Sequence, residues 1–226
     1  MIEKFKQWYD GRHFYAKEWK ERTGGKVIGT FCTYVPEDIL VAANMLPARI
    51  LGSHEPQDVT EPHIFGMFCP FCRDSLAQGL KGRFNYLDGV VLAHSCIHFR
   101  QTFNSWRIHL PVEFSYYIPM PNTVQTDHAR PYHREEVEKF KKAIEEYIGR
   151  PLTDSDIDRG IASADRNRRL LRKAYEYRKL DNPPLTGEEA MIMATTSQFI
   201  DKDEHSDALE ATLNSFADRK LPRETG

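Results

Sequence analysis

The sequence predicts an α/β fold: a mostly parallel sheet with flanking helices, followed by a purely helical segment. Three observations carry this reading. Four short apolar runs, at residues 27–34, 47–51, 88–93 and 112–117, have the length and β-branching of buried strands. Helix-length patterns separate them, and such alternation implies right-handed crossovers and parallel pairing. Beyond residue 131 only helical patterns remain. With 226 residues, 40% of them hydrophobic and 28% charged, the chain can bury a sizeable core and lacks the composition of a disordered or fibrous protein.

Residues 1–22 read as an amphipathic helix, with Phe5, Trp8, Tyr9 and Trp19 among charges, ended by Thr23-Gly24-Gly25. The first strand follows. Pro36 at the first helical position, with Glu37 and Asp38 in the first turn, starts a short helix to about Asn44. After the second strand comes a loop over 52–68, long enough to predict function or mobility. Pro70 opens a helix to about Leu80. The third strand, a helix over 98–109 and the fourth strand complete the alternation, closed by Pro119-Met120-Pro121.

Four helices are expected at 134–148, 153–179, 186–200 and 203–219. Thr186 with Glu189 fits a capping box, and Thr153 with Asp156 is its shorter counterpart. The basic run Arg166, Arg168, Arg169, Arg172 and Lys173 reads as a solvated helix face, because Asp165, Leu170, Leu171 and Glu176 interleave with it. The chain thus divides into an N-terminal helix (1–22), an α/β domain (23–130) and a helical segment (131–226).

Charge and motifs exclude several functions. The net charge is -2, from 31 basic and 33 acidic residues, so no global field attracts nucleic acid or an anionic membrane. No apolar stretch approaches the ~20 residues of a membrane span. The charged opening, with no apolar leader, predicts a cytoplasmic protein whose four cysteines are reduced and serve as ligands or redox groups. Gly24-Gly25 and Gly29 lack the spacing of a dinucleotide fingerprint, and there is no P-loop, nucleophile elbow or HExxH.

The cysteines carry the chemistry. In an open parallel sheet, ligands bind beyond the carboxyl ends of the strands. Cys32 lies near the end of the first strand and Cys96 just past the third, while Cys69 enters a helix through Pro70. Three separate stretches can therefore meet at one crevice. A cysteine at a helix entrance gains from the positive end of the dipole, which favours the thiolate that metals need. Cys72, one turn deeper, reads either as a second ligand or as core filler, and Cys32 as a small buried hydrophobe or a ligand. His94 and His98 read as packing groups or as partners of ligands. A single CxxC is weak, and soft thiolates with few nitrogen partners favour an iron–sulfur cluster over zinc. A structural zinc site through Cys69, Cys72, Cys96 and His98 remains an alternative.

Taken in order, the segments 26–39 (KVIGTFCTYVPEDI), 46–52 (LPARILG), 69–75 (CPFCRDS) and 87–91 (LDGVV), followed by His94-Ser95-Cys96, resemble the 2-hydroxyacyl-CoA dehydratase D-component family, which includes benzoyl-CoA reductase subunits. Asn104-Ser105-Trp106 and residues 117–121 look closer to benzoyl-CoA reductase than to the dehydratases. The resemblance covers residues 8–221. It implies a Rossmann-like domain holding a [4Fe-4S] cluster through Cys69 and Cys96, with Thr33 near the cluster. It also implies a CoA-thioester substrate, a homologous subunit in a heterodimer, and iron–sulfur ATPase activator subunits through which alone ATP acts. The implied reaction is one-electron reduction of the thioester to a ketyl radical, then loss of a 2-hydroxyl group or ring reduction.

Family members are nearly twice this long and carry a second Rossmann-like domain with another ligating cysteine. That domain is expected to be absent here. The chain is then a fragment or split product, or Cys32 or Cys72 supplies the missing ligand, or the cluster is lacking. A truncated, non-catalytic assembly or interaction module is the alternative function.

Overall fold

The computed structural model describes residues 2–53, 55–219 and 221. Within them the four apolar runs become one all-parallel sheet in the order β2-β1-β3-β4, from β1 (Lys26–Phe31), β2 (Met45–Arg49), β3 (Gly89–Ala93) and β4 (Phe114–Ile118). The α/β reading therefore holds. Register places Phe31 beside Leu92, and Ala93 beside Ile118. Pro47, which cannot donate to a ladder, sits in the edge strand β2.

Because strand side chains alternate, the sheet feeds two cores. Val27, Phe31, Leu46, Val90 and Leu92 face α2 (Arg12–Thr23), α4 (Pro70–Leu80) and α5 (Ile97–His109), meeting Trp19, Leu76, Phe103 and Trp106. Phe31 is fully buried, with its ring edge-on to Trp106 at 5.2 Å. Ile28, Met45, Val91, Ala93 and Ile118 face α3 (Glu37–Ala42) and α6 (Ala129–Ile148), meeting Leu40, Phe140 and Ile144.

A third core joins α1 (Ile2–Asp10) to α7 (Asp154–Tyr177), α8 (Gly187–Thr196) and α9 (Lys202–Asn214) around Phe5, Met193, Leu209 and Leu213. Trp8 packs against both this core and the first, tying the bundle to the sheet. Helix α7 crosses α3 at Gly160, where a Cβ would collide with the Asp38 carbonyl and lie 2.9 Å from the Ala42 nitrogen. Only glycine permits that approach.

The amino edge of the sheet is stitched by Asp88. Its carboxylate accepts the Val27 N–H and the Lys20 ammonium, both at 2.8 Å, and its carbonyl accepts the N–H groups of Glu113 and Phe114. Both expected capping boxes form, with Asp156 N–H on Thr153 Oγ1 at 3.2 Å and Glu189 N–H on Thr186 Oγ1 at 3.1 Å. The basic run is a solvated face: Arg166 pairs with Asp207 and Glu210, and Arg168 with Asp38 and Asp165.

Some expectations need correction. The first helix breaks at Gly11, and Pro36 precedes α3 rather than opening it. The 52–68 loop contains a short 3-10 turn at Asp58–Thr60, and another 3-10 turn, Ser215–Asp218, follows α9. β1 stops at Phe31, three residues early, because Cys32 (φ 56°) and Tyr34 (φ 71°) adopt left-handed conformations that no strand can continue. Cys32 is consequently not a buried strand hydrophobe but a half-buried residue at the sheet's edge. No helix among the described residues is long and apolar enough to cross a membrane.

Candidate functional site at the carboxyl edge of the sheet

Strand order decides where a site can form. The chain leaves β1 toward β2 on one side, and β3 lies on the other, so a crevice opens beyond the carboxyl ends of β1 and β3. Helices α4 and α5 pack side by side on one face. Each begins with a cysteine: Cys69 precedes Pro70 as the cap of α4, and Cys96 caps α5 in an extended conformation (φ -161°, ψ 141°). Neither sulfur is spent on capping its helix. Two half-buried thiols thus stand at the positive ends of neighbouring helices.

The two entrances are coupled. The Cys69 N–H donates to His98 Nδ1 at 2.8 Å, and the His98 ring is held edge-on by Phe68 at 4.9 Å. His98 Nδ1 is thereby occupied by the Cys69 backbone, while its sequence position allowed packing, a partner's role or ligation. Cys72 is 1% exposed and its carbonyl accepts the Thr102 hydroxyl at 3.3 Å. Burial, then the nearby charges of Cys69 and Cys96, push the Cys72 thiol up to about 12. Cys72 is therefore a buried thiol one turn into α4, behind the half-buried Cys69.

Cys32 and Thr33 sit elsewhere on the same edge. Cys32 is close enough to Arg49 to oppose the lowering that burial imposes on that guanidinium. Arg49 ends β2, with Glu37 at 4.0 Å, and Glu37 also pairs with the buried Lys202 at 2.8 Å. This charged chain was invisible in the sequence, since its members are separated by up to 165 residues and match no motif. Thr33 is exposed between the two left-handed residues, its hydroxyl 3.9 Å from the Cys32 sulfur.

The surroundings are unusually incomplete in hydrogen bonding. Ser95 Oγ, Thr30 Oγ1, Arg49 Nε and Arg73 Nε are buried without a partner among the described residues. Apolar side chains crowd the mouth yet face outward: Met67 is 87% exposed, Phe65 75% and Ile97 53%. Tyr117, at the end of β4, lies 5.7 Å from the His94 ring with Arg100 above it at 5.9 Å, and burial raises its phenol above the ordinary value.

Among the described residues no group of three or more His, Cys, Asp or Glu side chains is arranged to hold a metal ion. The donors present at this edge, the Cys69 and Cys96 thiols, are of the soft kind that iron–sulfur groups take, and the unpartnered Ser95 hydroxyl lies between β3 and Cys96 in sequence.

Comparison with known proteins gives the site its context. The family described as "2-hydroxyglutaryl-CoA dehydratase, D-component" matches residues 32–226. The chain is 25% identical over 201 residues to one of the subunits of benzoyl-CoA reductase from Thauera aromatica, covering 88% of this chain and 52% of that one. It is 26% identical over 202 residues to the beta subunit of (R)-2-hydroxyglutaryl-CoA dehydratase from Acidaminococcus fermentans, covering 86% and 52%. It is 20% identical over 214 residues to the beta subunit of (R)-phenyllactyl-CoA dehydratase from Clostridium sporogenes, covering 94% and 57%. The chain spans about half the length of these curated relatives. A cysteine-capped pair of helices over a parallel sheet, in a sequence matched over residues 32–226, makes this chain a member of the 2-hydroxyglutaryl-CoA dehydratase D-component family.

Proposed function

We propose that this chain contributes Cys69 and Cys96 as ligands of a [4Fe-4S] cluster in an enzyme that reduces or dehydrates a CoA thioester. The observation that carries this reading is the coupling of two cysteine-capped helix entrances through the Cys69 N–H to His98 hydrogen bond. A bound cluster would supply single electrons at low potential to a CoA thioester. The residues of the chain do the rest. Cys69 and Cys96 offer their sulfurs from two neighbouring helix N-termini, and His98 holds the Cys69 backbone in place. Cys72 fills the space beneath as a protonated thiol. Thr33, on the loop after β1, offers an exposed hydroxyl 3.9 Å from the Cys32 sulfur.

The relatives named above are subunits of reductases and dehydratases. Their names support a partner subunit; an ATP-driven iron–sulfur activator as electron source is what the family resemblance implies for this chain. The exposed apolar rim of Phe65, Met67 and Ile97 offers such a partner a surface that also excludes water. A structural zinc site would need Cys72 and His98 beside Cys69 and Cys96, but Cys72 is 1% exposed and His98 Nδ1 already accepts the Cys69 N–H.

Anaerobic reconstitution tests the proposal. The wild-type chain is expected to take up iron and acid-labile sulfide. Cys69→Ala and Cys96→Ala should each lose nearly all of it, and Cys32→Ala should retain it. Zinc bound in place of iron, or equal retention by all three variants, would overturn the assignment.

A further inference from the structure

We propose that Cys69 and Cys72 are a modification site, closing to a reversible intramolecular disulfide at the entrance of α4. The two residues occupy the cap and the third position of one helical turn, with Pro70 fixing the first. Side chains three apart on a helix have Cβ atoms about 5–6 Å apart, a small adjustment from the roughly 3.5–4.5 Å of a disulfide. The exposure of the two thiols is unequal in the way a two-step exchange needs: Cys69 is half-buried at the mouth, and Cys72 is 1% exposed behind it. CxxC pairs at helix N-termini are the usual setting of dithiol–disulfide chemistry.

The oxidant is a low-molecular-weight disulfide such as oxidised glutathione. The Cys69 sulfur gives up its proton and attacks one sulfur of the oxidant, releasing the first glutathione thiolate. The Cys72 sulfur then gives up its proton and attacks Cys69 Sγ, releasing the second. Two protein thiols are oxidised and one disulfide is reduced to two thiols. In the closed form Cys69 has no thiolate to offer a metal, a consequence that rests on the cluster reading; the disulfide itself rests only on the thiol geometry.

The test uses the metal-free full chain, so failure of the cluster reading leaves it intact. The chain is treated with oxidised glutathione, free thiols are counted, and linked peptides are mapped. The expected result is loss of two of the four free thiols, one peptide joining Cys69 to Cys72, and full recovery with dithiothreitol. Cys96→Ala should behave alike, whereas Cys72→Ala should stop at a glutathione adduct on Cys69. A Cys69–Cys96 link in the parent chain, or a parent that stops at the glutathione adduct, would overturn the proposal.

Discussion

The carboxyl edge of the sheet and the helical bundle solve opposite problems. In α1, α7, α8 and α9 no buried side-chain nitrogen or oxygen lacks a partner among the described residues. The fully buried His205 is satisfied at both ring nitrogens: Asn167 lies 2.8 Å from Nδ1, and the Thr196 hydroxyl and Met193 carbonyl lie 3.1 Å from Nε2. Asn167 also donates to Ser206 Oγ at 3.0 Å, and two capping boxes close the helix entrances. The carboxyl edge instead keeps unpartnered polar atoms, left-handed non-glycine residues and outward-facing apolar side chains. Buried polar groups cost free energy unless paired. A region that leaves them unpaired, beside one that pairs them all, is arranged for chemistry rather than for stability.

That contrast can be broken most severely from the bundle side. His205→Ala removes a fully buried ring that also meets Phe5 edge-on at 5.2 Å, and strands Asn167 without its strongest partner. By analogy with other core truncations the expected loss is about 2–5 kcal/mol, read from the urea midpoint. Thiol exchange at Cys69 should be unchanged under native conditions. A stability close to that of the parent would show that the bundle is not the stabilising region.

The second prediction uses pH. Burial, reinforced by the Lys202 charge, lowers His205 from 6.5 to about 3, so the folded chain keeps the ring neutral where the unfolded chain protonates it. The unfolded state then binds the extra proton, and stability should fall as pH drops through the window from 6.5 to 3. For one such group the slope is about 1.4 kcal/mol per pH unit, with no contribution above that window. His205→Gln, which can still hydrogen-bond, should flatten the curve. An unaltered slope in that variant would assign the acid sensitivity to other groups.

The smallest effects sharpen the comparison by sign. Thr186→Ala breaks a capping box in the bundle and is expected to cost about 1 kcal/mol. Tyr34→Gly relieves a left-handed residue at the carboxyl edge and should cost nothing, or stabilise by up to about 1 kcal/mol. Paired melting curves check both. If Tyr34→Gly destabilised the chain as much as Thr186→Ala, the strain at the edge would have no separate meaning.

Much of the molecule follows from local pattern. β-branched runs such as Gly-Val-Val-Leu-Ala, proline ahead of α4 and Thr-x-x-acid entrances are short-range rules. They depend on backbone sterics and on hydrogen bonds within one turn, so the strands, α4 and both capping boxes were legible before any contact was known. The placement of Cys96 just past β3 and of Cys69 at the entrance of α4 was legible for the same reason.

Long-range packing settled the rest. Where β1 ends depends on the left-handed turn at Cys32 and Tyr34, which nothing in a run of apolar residues announces. The burial of Cys72, the His98 clamp on Cys69 and the Arg49–Glu37–Lys202 chain each join segments that come together only when helices dock on a twisted sheet. Sequence by itself determined the elements and the chemical character of the sulfurs, because both are properties of a residue and its near neighbours. Tertiary structure alone decided which sulfurs meet, which one is shielded and which charges are left short of partners, because burial and electrostatics depend on everything packed around a group.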